Sequence, residues 1–343
     1  MSKSVTVHDI AKLANVSSAT VSRVLSNSNY PVSDKLRTRI LKIAEEVNYV
    51  PNLLGKQLKK NSTMTIGVII PSIINPFYSS VVFGVEEVAR QAGFTVFACN
   101  SLQDPELEDE YIQTMMEKQV KGVIISSITT NKEKLKRLIE MNVNVIAIDQ
   151  KLDEEGISQI EFDHRKGGYL AAKHLQSKGH TRIGYVTTKL NRPSRQGICR
   201  GYVDAMEEAG LAPFVEEYRS DEPFNPIFEF ETGRELAGRM MDAERPPTAI
   251  FACNDLLAFG VIHELTARGL QVPSDVSVMG FDGIDVGQMI HPPLTTIKQP
   301  DYEMGKMACR MLVDMTKGED KPMFNVTLQP KLLERHSVRD LNG

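Results

Sequence analysis

The sequence lacks any apolar run long enough to cross a membrane. Runs such as Ile66 to Ile70 are far shorter than the roughly 20 residues that a membrane-spanning helix needs. The segment from Met1 to Thr6 is polar, so we expect neither a signal peptide nor secretion. These absences favour a cytoplasmic protein without a membrane partner.

Cysteine is scarce as well. The four cysteines are far apart in the sequence and form no CxxC pair; they are Cys99, Cys199, Cys253 and Cys309. A disulfide framework or a zinc site in a chain of 343 residues would need closer spacing. We therefore expect reduced thiols, mostly in the core, and no metal site.

Enzyme signatures are also missing. The sequence contains no GxGxxG after a strand, no GxxxxGK[ST] and no GxSxG, and His263-Glu264 lacks the second histidine of HExxH. Nothing pairs the isolated histidines and aspartates as acid and base. We expect no catalytic activity and no cofactor.

The composition is that of an ordinary globular protein with more than one core, since 41% of residues are hydrophobic and 24% charged. The net charge of -4 is unevenly distributed. Residues 1–61 hold ten Lys/Arg against four Asp/Glu, a net charge of +6, whereas the remainder holds 30 against 40, a net charge of -10. The basic segment either binds a polyanion or forms a solvated surface.

Three short helices are predicted in the basic segment. Thr6 and Asp9 form a capping-box pattern before apolar residues that repeat at helical spacing up to Asn15. Ser17 then caps a second helix of about eight residues, and a third helix begins at Ser33. Two short helices joined by so small a turn are typical of a helix-turn-helix.

In a helix-turn-helix the second helix presents its N-terminal side chains to a major groove. Ser18, Ala19 and Arg23 are then expected to face base edges. Arg23 has the clearest chemistry, because its guanidinium can bind a guanine edge in bidentate fashion. Side chains that can donate to phosphates are Ser17, Thr20, Ser22 and Asn27.

The string VTVHDIAKLANVSSATVSRVL, residues 5–25, closely resembles the DNA-binding headpiece of the LacI/GalR family of bacterial transcription regulators. The string NYVPNLLGKQL, residues 48–58, resembles that family's hinge, a short helix that folds on DNA. The resemblance implies that Leu58 wedges into the minor groove, an insertion that bends a duplex. Gly55 replaces the alanine typical there and should cost the hinge helix roughly 1 kcal/mol. The candidate DNA contacts are Thr6, Ser17, Ser18, Ala19, Thr20, Ser22, Arg23, Asn27, Asn52 and Leu58.

Beyond the basic segment, strand-like apolar runs alternate with amphipathic helical stretches. This βαβ order predicts an α/β fold, with parallel sheets covered by helices on both faces. At about 280 residues the segment is too long for one compact sheet, so two Rossmann-like lobes are expected. The predicted strands are Thr65–Ile70, Phe94–Cys99, Gly122–Ser126, Val143–Ile148, Ile183–Val186, Ala249–Ala252 and Val276–Gly280.

Polar side chains follow several of these strands. The carboxyl ends of parallel strands meet at one edge, where α/β proteins bind ligands in the cleft between lobes. The polar residues placed there are Asp149, Asp163, Asn254 and Asp282, and possible stacking faces are Phe77, Tyr78 and Phe228. Carboxylates and aromatic rings suit a neutral polyhydroxylated molecule. The alternative for each aspartate is a helix N-cap.

The same resemblance extends over nearly all of residues 4–338. Residues 66–78, 247–255, 276–282 and 294–300 are similar to the family's effector-binding core, which is related to periplasmic sugar-binding proteins and crosses between its lobes three times. It implies a pocket of Phe77, Tyr78, Asp149, Asp163, Arg195, Phe228, Asn254 and Asp282. The family usually places an arginine before Gly201-Tyr202, where this chain has Ile198. Arg195, about one helical turn earlier, is the candidate substitute.

The resemblance also implies domain boundaries. We expect a helix-turn-helix headpiece over residues 1–48, a hinge helix and linker over 49–62, and an effector-binding and dimerisation core over 63–340. Within the core, the first lobe comprises about 63–161 and 294–325, and the second lobe about 162–293 and 326–340.

The sequence thus predicts a DNA-binding regulator, a homodimer that represses a carbohydrate-use operon. It would bind a palindromic double-stranded operator under the control of a small-molecule effector, a sugar or sugar derivative. Two alternatives remain open. One is a catabolite-control regulator co-activated by a phosphocarrier protein, and the other is a sugar-binding receptor whose basic segment binds protein instead of DNA.

Overall fold

A computed structural model describes residues 5–26, 31–49, 64–128, 132–152, 154–219, 227–318 and 323–342. The chain divides into two compact units, residues 1–62 and residues 63–343. Each unit is described separately below.

The first unit contains α1 (Val7–Ala14), α2 (Ser18–Leu25) and α3 (Asp34–Glu46). Their apolar faces meet in a small core around Ile10, Val21 and Ile40, each fully buried. Thr6 starts α1 with the predicted capping box, since its side chain accepts from the Asp9 amide and its own amide donates to the Asp9 carboxylate. The three predicted helices are confirmed.

The second unit contains two six-stranded sheets, in the orders β11-β5-β4-β3-β1-β2 and β12-β10-β9-β8-β6-β7. Among the strands that the structure describes, every pairing is parallel except that of β10 with β12. The strands are β1 (Thr65–Ile70), β2 (Thr95–Asn100), β3 (Gly122–Ile125), β4 (Asn144–Asp149), β5 (Ser158–Phe162), β6 (Ile183–Thr187), β7 (Phe214–Glu217), β8 (Ala249–Ala252), β9 (Ser277–Asp282), β10 (Thr295–Lys298), β11 (Asn325–Leu328) and β12 (Lys331–Leu333).

Helices follow most of these strands, which gives the predicted βαβ rhythm. The central strands are fully buried, as parallel strands covered on both faces should be. The helices are α4 (Pro76–Gln91), α5 (Pro105–Glu117), α6 (Glu133–Glu140), α7 (His164–Ser177), α8 (Pro193–Glu208), α9 (Phe228–Met241), α10 (Asp255–Ala267) and α11 (Asp301–Lys317), with a 3₁₀ turn at Asp285–Gln288.

The sheet that contains β1 forms the first lobe, and the sheet that contains β6 forms the second lobe. The chain passes between the two lobes three times, after β5, β10 and β11. The second and third passages differ from the expected boundaries. Because β10 pairs with β9, the chain leaves the second lobe only after Lys298, so the boundary at 294 is one strand too early. Because β11 pairs with β5, the first lobe extends to Leu328 and not to 325. These short strands have half-polar sequences, which the apolar-run criterion does not detect.

Helix pairs within each lobe cross at glycines on both helices. A Cβ on Gly201 of α8 would overlap the carbonyl oxygen of Arg165 on α7, and a Cβ on Gly168 of α7 would overlap that of Ile198 on α8. The two backbones therefore approach to a distance that no larger residue permits. The same reciprocal arrangement joins α9 to α10 and α4 to α11, through Gly233 with Gly260 and Gly84 with Gly305.

Asp255, the first residue of α10, is fully buried and ties this helix to the strands beside it. Its carboxylate accepts from the Thr296 hydroxyl at 2.6 Å and from the Ile284 amide at 2.8 Å. Burial, only partly offset by these hydrogen bonds, raises the pKa of Asp255 to about 7.

We expect this carboxyl to make the chain less stable at pH 8 than at pH 5. Between its unfolded pKa of about 4 and its folded pKa of about 7, only the folded state holds the proton, so the free energy of unfolding falls as pH rises, by at most about 4 kcal/mol. In Asp255→Asn the amide can accept from Ile284 and donate to Thr296 without ionising. Urea unfolding at both pH values should therefore show that the free energy of unfolding decreases less between pH 5 and pH 8 for Asp255→Asn than for the wild type. The exposed control Asp285→Asn should behave as the wild type, and an unchanged pH dependence in Asp255→Asn would contradict the assignment.

Candidate DNA-binding face and effector cleft

The exposed face of α2 carries two of the three residues predicted to contact base edges, Ala19 and Arg23. Val21 and Val24 are buried against the other two helices, which leaves Ala19, Ser22 and Arg23 exposed. Residues three and four apart lie on one side of a helix, so these three share a surface. The structure thus places Ala19 and Arg23 on one surface with Ser22, a predicted phosphate contact, whereas Ser18 is half-buried.

Two polar interactions order the start of α2. The Ser17 hydroxyl accepts from the Thr20 amide at 3.2 Å, so Ser17 is the N-cap that the sequence predicted. The Ser18 hydroxyl lies 3.0 Å from Nδ1 of His8 on α1. His8 was missed, because no local pattern pairs side chains on two different helices. Thr6 is engaged in its own capping box, and the candidate contacts Asn27, Asn52 and Leu58 lie outside the described residues.

In the second unit, Asp149 ends β4 at the face where the two lobes meet. Its φ of 62° lies in the left-handed region, a conformation that is strained for an aspartate and that is found most often at functional sites. Four side chains donate to its carboxylate: Tyr78 at 2.9 Å, Ser126 at 3.3 Å, Gln150 at 2.8 Å and His164 at 3.1 Å. Burial opposes ionisation, but the hydrogen bond and the charge of His164 lower the pKa of Asp149 overall.

Asp282 occupies the corresponding position in the second lobe, at the end of β9, and it also has a positive φ, 105°. The Gln299 side-chain amide donates to it at 2.7 Å. Burial raises the pKa of Asp282 well above its usual value, although the positive charge of Arg195 opposes this. The cleft therefore contains one carboxyl group from each lobe, and the pKa values of the two groups are shifted in opposite directions.

Arg195 and Asn254 complete the second-lobe wall through a shared carboxylate. Arg195 donates to the Cys253 carbonyl at 2.7 Å and lies 3.4 Å from the Glu229 carboxylate. Asn254 also donates to Glu229, at 2.6 Å, and its own amide oxygen caps α10 by accepting from Leu257. Asn254 thus lies one layer behind the cleft surface and fixes Glu229, which in turn holds Arg195.

The lobes are in direct polar contact. Gln150 donates to the Ser194 hydroxyl at 2.8 Å and accepts from the Ser194 amide at 3.1 Å, and Asn75 donates to Glu229 at 3.3 Å. The remaining cavity is about 10 Å³, roughly enough for one water molecule. A larger ligand enters this cleft only if the lobes separate.

Most of the predicted cleft residues lie together. Residues that line the cavity include Phe77, Tyr78, Asp149, Arg195 and Asp282, and Ile198 lies beside them. Asn254 lies behind the cleft surface, and two other predicted residues lie elsewhere. The Asp163 side chain accepts from the Lys166 amide at 2.9 Å, so it is the N-cap of α7, which was the alternative interpretation. Phe228 packs edge-to-face on Tyr218 at 5.4 Å and lines a separate surface pocket.

Several cleft residues were missed. They are Asn75, Gln150, His164, Arg192, Ser194, Glu229 and Gln299. Gln150, His164 and Gln299 lie within two residues of the carboxyl end of a strand, so the strand-end criterion would have found them had it not been restricted mainly to acidic residues. Ser194 and Glu229 carry no such signal, because their partners are distant in the sequence.

Two sequence models of known families match separate parts of the chain. Residues 6–52 match the sequence model for bacterial regulatory proteins of the lacI family, and residues 172–338 match that for the periplasmic binding protein-like domain. The HTH-type transcriptional repressor PurR of Aliivibrio salmonicida is 33% identical over 98% of this chain and 99% of that protein. The chain belongs to the LacI family. It is a DNA-binding transcriptional repressor with an effector-binding core.

Two solved structures of LacI-family proteins are similar to the chain. The lac repressor dimer bound to operator and the anti-inducer ONPF matches 98% of this chain and 100% of that one, at 26% identity and a TM-score of 0.81. A LacI-family regulator from Enterococcus faecium with bound ribose matches 81% of this chain and 99% of that one, at 30% identity and a TM-score of 0.73. Among the described helices of the present LacI-family chain, none has both the length and the apolar composition needed to span a membrane.

Proposed function

We propose that this LacI-family protein acts in the cytoplasm as a homodimer that binds a near-palindromic operator and represses a carbohydrate-use operon. The observation that carries the proposal is the face of α2 on which Ala19, Ser22 and Arg23 are exposed to solvent. The fold match to a lac repressor dimer on its operator supports the dimeric arrangement. Two headpieces related by a two-fold axis require half-sites related by the same axis. Asn52 and Leu58 belong to this proposal as hinge contacts.

The cleft supplies the regulatory element of the proposal. Opening of the lobes breaks the hydrogen bonds between Gln150 and Ser194 and the contact between Asp149 and His164. An effector that binds one arrangement better than the other shifts the population between them. Carboxyl groups that accept hydrogen bonds from hydroxyls favour a sugar or sugar derivative, and the ribose-bound relative supports this class.

The decisive experiment is a fluorescence titration of duplex DNA from the region upstream of the gene. We expect two chains per symmetric site, with an affinity at least about 10³-fold higher than for a scrambled duplex. That affinity should fall by about 10³-fold or more between 50 and 200 mM salt, because phosphate contacts release counterions. Failure to bind at low salt, or binding of one chain per duplex, would overturn the proposal. Calorimetry with sugars, purine bases and the phosphocarrier protein as separate arms tests the class of effector and partner.

A further inference from the structure

Three residues that line the closed cleft each have a buried polar atom without a hydrogen-bond partner among the described residues. They are Nη1 of Arg192, Nε of Arg195 and Oε1 of Gln299. Each side chain is more than nine-tenths buried, with 6%, 5% and 3% of its surface exposed. Leaving such a group unsatisfied costs about 1–3 kcal/mol, and more when it is charged. Three of them at one cavity indicate a site built for a ligand with two acceptors and a donor.

The two arginines differ in how their charge is balanced. Arg195 lies beside the Glu229 carboxylate and donates to a backbone carbonyl. Arg192 forms no ion pair with any residue in the described part of the chain. Arg192 interacts electrostatically with Asp149. The carboxylate oxygens of Asp149, however, already accept hydrogen bonds from four other side chains. A buried guanidinium without a bonded counter-charge is unfavourable, so the site calls for an anion from outside.

A water molecule cannot replace that anion. The cavity has room for about one, and a water can accept from one or two of the N–H groups. It carries no charge, however, and hydrogen bonds from a guanidinium to a carboxylate or phosphate are about twice as strong as those between neutral groups. Ile198, one turn beyond Arg195 on α8, adds an apolar surface but no charge.

We propose that Arg192 and Arg195 form an anion subsite in the effector cleft, so that the effector carries a carboxylate or phosphate on a hydroxylated body. The anion accepts from Nη1 of Arg192 and Nε of Arg195, and a hydroxyl donates to Oε1 of Gln299. This inference rests on the proposed effector role of the cleft. An anionic effector differs from the neutral ligand expected from the sequence. That expectation was based on the acidic residues at the strand ends and did not include Arg192.

The test uses inorganic phosphate and acetate as probes of the full-length chain, with chloride at equal ionic strength as the reference. We expect each probe, at about ten times its dissociation constant, to raise the melting temperature of the wild type by roughly 2–4 °C over chloride. Arg192→Gln should lose this shift and Arg192→Lys should keep part of it. Arg200→Gln is the matched control on the same helix, where Arg200 is exposed and pairs with Asp204, and it should behave as the wild type. The wild type and all variants contain the headpiece, so anion binding to the headpiece contributes equally to every melting temperature that is compared.

A second arm compares matched sugars by calorimetry: galacturonate with galactose, and glucose 6-phosphate with glucose. The carboxylate or the phosphate member should bind at least ten-fold more tightly than its neutral parent, and the pair that does so identifies the anion. The proposal is overturned if chloride stabilises the wild type as much as the probes do, if Arg192→Gln keeps the shift, or if the neutral sugars bind as tightly as the anions. Operator binding by the wild type is measured separately, so a failed anion site is distinguishable from a failed regulator.

Discussion

Valine in place of Gly201 should destabilise the second lobe by about 3 kcal/mol or more. A Cβ at this position would overlap the Arg165 carbonyl oxygen and lie 2.7 Å from the Tyr169 amide nitrogen, both on α7. Backbone atoms cannot move aside as a side chain can, so the two helices must separate and the core beneath them must loosen. Because α7 begins at His164 and α8 carries Arg195, the cleft would lose its geometry together with the stability.

Urea unfolding of the full chain measures the first effect. Arg200→Val is the matched control, since it introduces the same residue one position away on the exposed side of α8. We expect that variant to stay within about 1 kcal/mol of the wild type, because a β-branched residue costs an exposed helix position only a few tenths of a kcal/mol. Equal stability of Gly201→Val and Arg200→Val would show that α7 and α8 do not pack as described.

Alanine in place of Arg23 should reduce operator affinity by roughly 30-fold to 25,000-fold. One bidentate contact with a guanine edge is worth about 1–3 kcal/mol, and a dimer on a two-fold operator loses it twice. Arg23 lies on the exposed side of α2 and outside the core, so we expect the headpiece to keep its fold. The loss should therefore appear in binding and not in thermal stability.

Arg23→Lys separates base recognition from general attraction to phosphate. It keeps the positive charge but lacks the planar fork. We expect it to retain the affinity of the wild type for a scrambled duplex and to lose preference at one base pair in each half-site, as Arg23→Ala does. If Arg23→Ala instead weakened binding equally to every duplex, Arg23 would be a phosphate contact and the readout would lie elsewhere on α2.

Features that depend on neighbouring residues could be predicted from the sequence. The capping box of Thr6 and Asp9 spans four residues, and its atoms are fixed once α1 forms. The same holds for Asp149 and Asp282, whose positions follow from the end of a strongly apolar strand. Such features require only local pattern and the common edge of a parallel sheet.

Features that depend on partners distant in the sequence could not be predicted from the sequence. The strands β10, β11 and β12 are short and partly polar, and they are strands because of what they pair with. Asp163 and His164 are adjacent in the sequence, yet they have different roles. The Asp163 side chain caps α7, whereas the His164 side chain contacts Asp149. No local pattern marks Arg192, whose relevance to the site depends on its place in the lining of the closed cleft and on its unsatisfied nitrogen.

The reciprocal glycines constrain how the core can respond to an effector. Helices in backbone contact cannot slide or rotate past one another without collision, so each lobe moves as one rigid body. Deformation is then confined to the three connecting segments, after Phe162, Lys298 and Leu328. With three connections between the lobes, we expect opening of the cleft to be the main movement of one lobe relative to the other. Effectors of different shape would therefore differ mainly in how far open they hold the core, and not in the direction of the movement.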